Sequence, residues 1–228
     1  MKSFRIDQLI NLSSQAKCLA DIGSDHGFYA LQALKKNICQ EIVVCDIAAA
    51  PLQRSIDLFL SENIAAKDAR FFLSDGLLSV PDDLVIDAAC IAGLSGQTII
   101  SIIKNSTNIF RQMDYILLQP MQKTNLLRQW LASSGFIFLD ESICVDKAKF
   151  FAIMKVKFTG NTINLTEFEK LLGPLNVERR SAEALSLCKE LLKRKKNELF
   201  AKQSGKIIAQ DELDSIAHLV EEMEDYLR

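Results

Sequence analysis

Three aspartates stand where an apolar run gives out: Asp21 after Cys18, Leu19 and Ala20, Asp46 after the run Glu41 to Cys45, and Asp75 after Ala69 to Leu73. The first opens the stretch Asp21-Ile22-Gly23-Ser24-Asp25-His26-Gly27, and the third is followed directly by Gly76. A strand that stops at a glycine and passes into a helix N-terminus brings backbone close to a ligand, with free N–H groups pointing outward. The stretch is not the dinucleotide pattern G-x-G-x-x-G, because the residue after Ser24 is Asp25, whose carboxylate would face a pyrophosphate. A phosphate-free, positively charged cofactor fits better. Asp46 lies about 20 to 25 residues past the glycine loop, where an acid at a second strand end accepts hydrogen bonds from ribose hydroxyls. In Ser74-Asp75-Gly76 the carboxylate can reach the exocyclic amine of an adenine, and a plain Asp-Gly turn is an equally good reading.

Placing these acids on one edge requires alternating strands and helices. Helical periodicity is expected over Phe28 to Lys36, from Pro51 in a first turn through Glu62, over Gln97 to Lys104 and over Thr124 to Ser133. Between them lie the apolar run Leu84 to Ile91, which carries Asp87 and leads into a second glycine loop, Ala92-Gly93-Leu94-Ser95-Gly96, and the strand Tyr115 to Leu118, which closes with Gln119-Pro120. Phe4, Ile6, Leu9, Ile10 and Leu12 recur at helical spacing, so the start is read as a short helix that packs on the sheet rather than one that lids a pocket. Phe136 to Val145 and Phe150 to Phe158, separated by four residues, have hairpin spacing. Dinucleotide folds end in a parallel sixth strand, whereas β/α alternation with a terminal hairpin is the layout of methyltransferases that use S-adenosylmethionine, a sulfonium cofactor without phosphate.

Beyond Gly160 the strand pattern stops. Leu171-Leu172-Gly173-Pro174-Leu175 breaks the chain, and Glu178 to Ala201 and Gln210 to Leu227 read as two long charged helices with apolar seams, a coiled-coil-like arm. Lys193, Arg194, Lys195 and Lys196 concentrate positive charge on the first of these helices. Such a run is either a solvated face with i,i+4 pairs or a handle for RNA phosphates. At 228 residues, 49% hydrophobic, the chain can bury a core and carry a small appendage. Its formal charge of -2 requires any nucleic-acid partner to be met by a local basic patch. The six cysteines lack zinc-site spacing and most sit in apolar runs, which suits a reducing cytoplasm and no metal. No signal peptide and no membrane span is expected, and a monomer is the simplest state.

Several stretches together resemble one family, the bacterial tRNA adenine-22 N1-methyltransferases. They are Ala20 to His26, Asp46 with Pro51-Leu52, Asp75-Gly76-Leu77, Ile91-Ala92-Gly93 with Gly96, Leu118-Gln119-Pro120, Trp130-Leu131 with Gly135, Glu141, and Leu172-Gly173-Pro174, in order over nearly the whole chain. The resemblance implies an α/β fold, a Rossmann-like class I methyltransferase sheet of seven strands over residues 1–160, and a C-terminal helical coiled-coil-like domain over 161–228. It implies S-adenosylmethionine as donor and tRNA as acceptor. Carried onto this chain, the cofactor would meet Asp21, Gly23 and Ser24, then Asp46 and Ile47, then Asp75 and Gly76, and finally Ala92 and Gly93. The acceptor would meet Gln119 and Pro120 at the pocket and Lys193, Arg194, Lys195 and Lys196 on the arm; if the arm cluster is only a solvated face, RNA recognition falls to the pocket mouth, for example at Arg128, Lys147 and Lys149. Adenine N1 has a free lone pair, so transfer needs placement rather than a nucleophile. Asp25 is the first candidate for a contact to N6 of the target base, or else a helix cap, and His26 the second. Two departures stand out: Leu94-Ser95-Gly96 where the family has Met-Gly-Gly, with Ser95 able to cap the next helix, and Met121 where the family has asparagine. Two other readings are a non-catalytic tRNA-binding descendant and a nicotinamide-dependent oxidoreductase.

Overall fold

The computed structural model describes residues 4–24, 26–65, 67–204 and 210–228. The chain divides into two compact units, Met1–Asn164 and Leu165–Arg228. In the first unit seven strands form one sheet: β1 (Ala16–Ile22), β2 (Cys39–Asp46), β3 (Ala69–Leu73), β4 (Ala88–Ser95), β5 (Tyr115–Gln122), β6 (Phe136–Asp146) and β7 (Lys149–Phe158). Their order is β3-β2-β1-β4-β5-β7-β6, with β1 to β5 mutually parallel and β7 antiparallel to both of its neighbours. The chain runs outward from β1 to β3 and then returns to place β4 on the other side of β1. That reversal opens a crevice at the carboxyl ends of β1 and β4, where open α/β sheets bind ligands.

The parallel strands are apolar on both faces because both are covered. Ala20, Ile22, Val43, Cys45, Ala89 and Ile91 point into a core shared with α4 (Gly96–Asn105) and α6 (Thr124–Ser133). The alternate residues Leu19, Ile42, Val44, Ala88 and Cys90 point to α1 (Phe4–Leu12), α2 (Phe28–Lys35) and α3 (Ala49–Ser61). A short α5 (Thr107–Phe110) follows α4. All six cysteines are buried, and burial pushes the thiols of Cys39 and Cys45 up to about 12, so they act as small core residues.

The fourth strand begins at Ala88, not at Leu84. Asp87 precedes it because its backbone N–H donates to the Cys18 carbonyl at 2.9 Å while its carboxylate accepts from the Cys18 N–H at 2.8 Å. This closes the start of β1 in place of another ladder pair. At its other end β4 continues through the expected second loop, with register shifts at Leu94 where Gly93 adopts φ 82°. Ser95 caps α4, its hydroxyl accepting from the Thr98 N–H at 3.1 Å. Gly96 is required next, since a Cβ there would stand 2.4 Å from the Lys123 carbonyl oxygen. The hairpin turn is tighter than the spacing suggests: Lys147 and Ala148, at φ 48° and 59°, join β6 and β7 directly.

The second unit holds α7 (Glu167–Leu172), α8 (Pro174–Arg179), α9 (Ala182–Gln203) and α10 (Gln210–Leu227). Thr166 and Glu169 form a capping box on α7. The long helix starts at Ala182, not at Glu178, because Arg180 turns left-handed (φ 50°) and Ser181 caps a new helix from Ala182. Cys188 and Ala184 of α9 and Ile216, Leu219, Met223 and Tyr226 of α10 are buried and form the apolar seam of the two helices. Among the described residues no helix is long and apolar enough to cross a membrane.

Candidate active site

Two adjoining cavities open at the carboxyl ends of the strands, of about 460 and 210 Å³. Gly23, Ala92, Gly93 and Arg5 border both. The larger chamber is lined by Asp46 and Ile47 from the end of β2 and by Ser74, Asp75 and Gly76 from the end of β3. The smaller is lined by Asp21, Ser24, His26, Phe28 and Gln119. Gly93, at φ 82°, borders both chambers, and a Cβ built on it would meet nothing within 4 Å. A larger groove, about 680 Å³, crosses the opposite edge of the sheet; its walls at Lys17, Gln40 and Asp114 are exposed surface, without the buried acids of the paired chambers.

Two of the three expected strand-end acids, Asp46 and Asp21, are buried and held by hydrogen bonds from their own loops, whereas Asp75 is exposed on the wall of the larger chamber. Asp46 is buried and its Oδ1 accepts from the Ala48 N–H at 2.9 Å, while the Ser74 N–H donates to the Asp46 carbonyl at 2.8 Å, tying the ends of β2 and β3 together. Asp21 is 4% exposed, and its Oδ2 accepts from the Ser24 hydroxyl at 2.5 Å. Its carboxyl is raised to about 6, chiefly by burial and to a smaller extent by the nearby Asp46, against the lowering effect of the Ser24 and Ala30 hydrogen bonds. A cation arriving in the smaller chamber would meet this carboxylate. Gln119 is buried beside it and donates from Nε2 to the Pro120 carbonyl at 3.0 Å. Pro120 itself packs at the strand end without lining either cavity. The His26 ring lies 5.6 Å from that of Phe28. Asp25 lies outside the described residues.

The first helix both packs and walls the site. Leu9, Ile10 and Leu12 are buried, yet Arg5, Ile6 and Leu9 also line the smaller chamber. Its exit is fixed by hydroxyl contacts: Ser13 Oγ donates to the Leu9 carbonyl and lies 2.9 Å from the Tyr29 hydroxyl, and the Tyr115 hydroxyl donates to the Ser14 carbonyl at 2.6 Å. Arg5 lies 4.9 Å above the Phe151 ring, 3.6 Å from the Asp146 carboxylate and 3.4 Å from Met121 Sδ. The sequence shows only an amphipathic helix here, so Arg5 was not legible as a wall residue.

The basic residues do not all fall where expected. Arg128 is not at the mouth: it is fully buried, with Nε 2.9 Å from the Glu141 carboxylate. In the second unit Arg194 pairs with Glu190, Lys195 with Glu198 at 2.8 Å and Lys196 with Glu224 at 2.5 Å. Lys193 is exposed and makes no ion pair with the described residues. Among those residues no group of three His, Cys, Asp or Glu is placed to hold a metal ion.

Residues 2–154 match the methyltransferase domain family. The chain belongs to that family. A putative tRNA methyltransferase of Mycoplasma pneumoniae is 30% identical over 175 residues, covering 75% of this chain and 78% of the relative. Among solved structures, a putative tRNA (m1A22) methyltransferase of Streptococcus pneumoniae in complex with S-adenosyl-L-methionine superposes with TM-score 0.85 at 20% identity, over 100% of both chains. The Bacillus subtilis m1A22 tRNA methyltransferase superposes with TM-score 0.84 at 19% identity, over 100% of this chain and 99% of the other. At these identities the likeness shows the fold, a Rossmann-like methyltransferase sheet followed by C-terminal helices. The nicotinamide reading is set aside, because this methyltransferase carries an antiparallel hairpin where a dinucleotide sheet continues in parallel.

Proposed function

We propose that this methyltransferase methylates N1 of an adenine in tRNA, adenine 22, with S-adenosylmethionine as donor. The paired chambers carry the reading. They give one space for an adenosine and one where the cofactor's amino-acid end meets the acceptor, with glycines at the boundary and aspartates instead of phosphate-binding groups around it. The relatives named above, all of them tRNA methyltransferases by name and two of them for m1A22, support the acceptor. When bound, the cofactor supplies an electrophilic methyl group on its sulfonium.

The chain's own residues place the partners. Asp46 accepts from ribose hydroxyls, Asp75 beside Gly76 meets the exocyclic amine of the adenine, and Ile47, 70% exposed, offers that ring an apolar face. Asp21, held by Ser24, takes the ammonium of the amino-acid end. Gln119 presents an amide to the acceptor base at the end of β5, with Pro120 fixing that end. His26 lies close enough to the smaller chamber to take part in moving the N6 proton that the cationic product must lose, with Asp25 beside it in sequence. S-adenosylmethionine is expected to raise the melting temperature, and Asp46→Ala to erase most of that shift in a thermal melt. Stabilisation by NADH and none by S-adenosylmethionine would contradict the assignment.

Lys193, Arg194, Lys195 and Lys196 are proposed to hold RNA phosphates. Exposed ion pairs are worth little, so a phosphate can displace Glu190 or Glu198 from its cation at small cost. Replacing all four by alanine is expected to weaken tRNA binding and flatten its salt dependence by a little under one log unit per log unit of salt for each phosphate that is no longer neutralised. A filter-binding titration with unchanged affinity and slope would leave the cluster a solvated helix face.

A further inference from the structure

Phe28 opens α2, and the three residues after it, Tyr29, Ala30 and Leu31, are buried against the sheet. Phe28 is 46% exposed and belongs to neither core. Phe28 instead lines the smaller chamber, its ring 5.6 Å from that of His26, with Gln119 and Gly93 also on the chamber wall. The larger chamber has a comparable arrangement, with Ile47 exposed at the end of β2 where an adenine ring would lie. A flat apolar ring left in water at a cavity lip is accounted for when an equally flat ligand covers it.

We infer that Phe28 is the stacking platform for the acceptor purine, extruded from the RNA into the smaller chamber. The inference rests on the reading of the site as a tRNA adenine methyltransferase and names the residue that holds the base. An adenine drawn out of a helix loses its neighbours in the stack, and enzymes that act on such bases restore a stacking partner from an aromatic side chain. Among the described residues on the chamber wall, Phe28 is the exposed apolar aromatic ring, with the polar His26 ring 5.6 Å away, whereas Tyr29 is buried and committed through its hydroxyl to Ser13. Gln119 lines the same chamber to meet the base edge, and Gly93 and Gly23 border the larger chamber beyond it.

The test uses the full-length protein, unmodified tRNA and labelled S-adenosylmethionine. Phe28→Leu keeps apolar bulk and removes the ring, while Phe28→Tyr keeps the ring. Loss of one stacking aromatic is worth roughly 10- to 100-fold. F28L is expected to lower kcat/KM for tRNA by that factor, with cofactor affinity in calorimetry changed less than twofold, and F28Y to recover most of the loss. F28L within threefold of wild type, F28Y as impaired as F28L, or a parallel fall in cofactor affinity would each overturn the assignment. A second measurement does not depend on turnover. With 2-aminopurine at the acceptor position and S-adenosylhomocysteine present, emission is expected to be quenched more by wild type than by F28L; equal emission contradicts the stacking role. A wild-type protein that quenches the probe in this way but transfers no label would sink the functional reading and leave the stacking intact.

Discussion

Asp21→Asn is expected to weaken S-adenosylmethionine binding by roughly 30-fold or more, the scale of a lost charge-assisted hydrogen bond in a buried site, while making the ligand-free protein more stable. Both effects have one cause. The Asp21 carboxyl sits at about 6 when folded against 3.8 ordinarily, chiefly because burial disfavours its charge. A carboxyl with a raised folded value binds more protons folded than unfolded, so its contribution to stability falls as pH rises from about 4 to 6 and stays low above that. The two-unit difference corresponds to about 3 kcal/mol at neutral pH, part of which asparagine relieves while still accepting from the Ser24 hydroxyl. The arriving ammonium offsets the same penalty in the wild type. Wild-type cofactor affinity is therefore expected to drop roughly tenfold between pH 7 and pH 5, and the asparagine variant to show no such dependence. Calorimetry across that range checks both. A variant that binds as well as wild type would remove Asp21 from the cofactor's amino end.

Arg128→Ala is expected to destabilise the protein by about 3 to 5 kcal/mol, enough to lower the melting temperature by roughly 6 to 20 °C in a domain of this size. Arg128 and Glu141 are both nearly inaccessible, 0% and 2% exposed, and the pair joins α6 to β6. Removing the guanidinium takes the charged partner in the 2.9 Å pair away from a carboxylate that is only 2% exposed. Pairing Arg128→Met with Glu141→Leu removes both charges, and buried pairs exchanged for apolar side chains of similar volume often lose little. The double variant is expected to melt within a few degrees of wild type. If it is as unstable as Arg128→Ala, the cost lies in packing rather than in the stranded charge.

The difference between these two sites marks how far the sequence could be read. Asp21, Asp46 and Asp75 were legible because each ends an apolar run, and strand ends on one edge of a parallel sheet converge whatever lies between them. The hairpin was legible from two adjacent apolar runs, although its turn carries Lys147 and Ala148 in place of the usual Asn-Gly, so its length was overestimated. Arg128 looked like an ordinary surface cation, because nothing local distinguishes an arginine that meets a glutamate thirteen residues away inside the core from one in water. Arg5 was missed for a related reason. Its position depends on α1 folding back across the sheet, which is fixed by Ser13 and Ser14 meeting Tyr29 and Tyr115, contacts made across up to 101 residues. In the second unit the break at Arg180 was invisible, since a left-handed arginine leaves no glycine as a sign.

The measurement closest to the central claim is the identity of the modified nucleoside. Unmodified tRNA is incubated with the protein and labelled S-adenosylmethionine, and the product is digested to nucleosides and mapped by mass spectrometry. The predicted result is label in 1-methyladenosine alone, at position 22. A folded protein that binds S-adenosylmethionine yet transfers no label to tRNA, or places it on another nucleoside, would contradict the account.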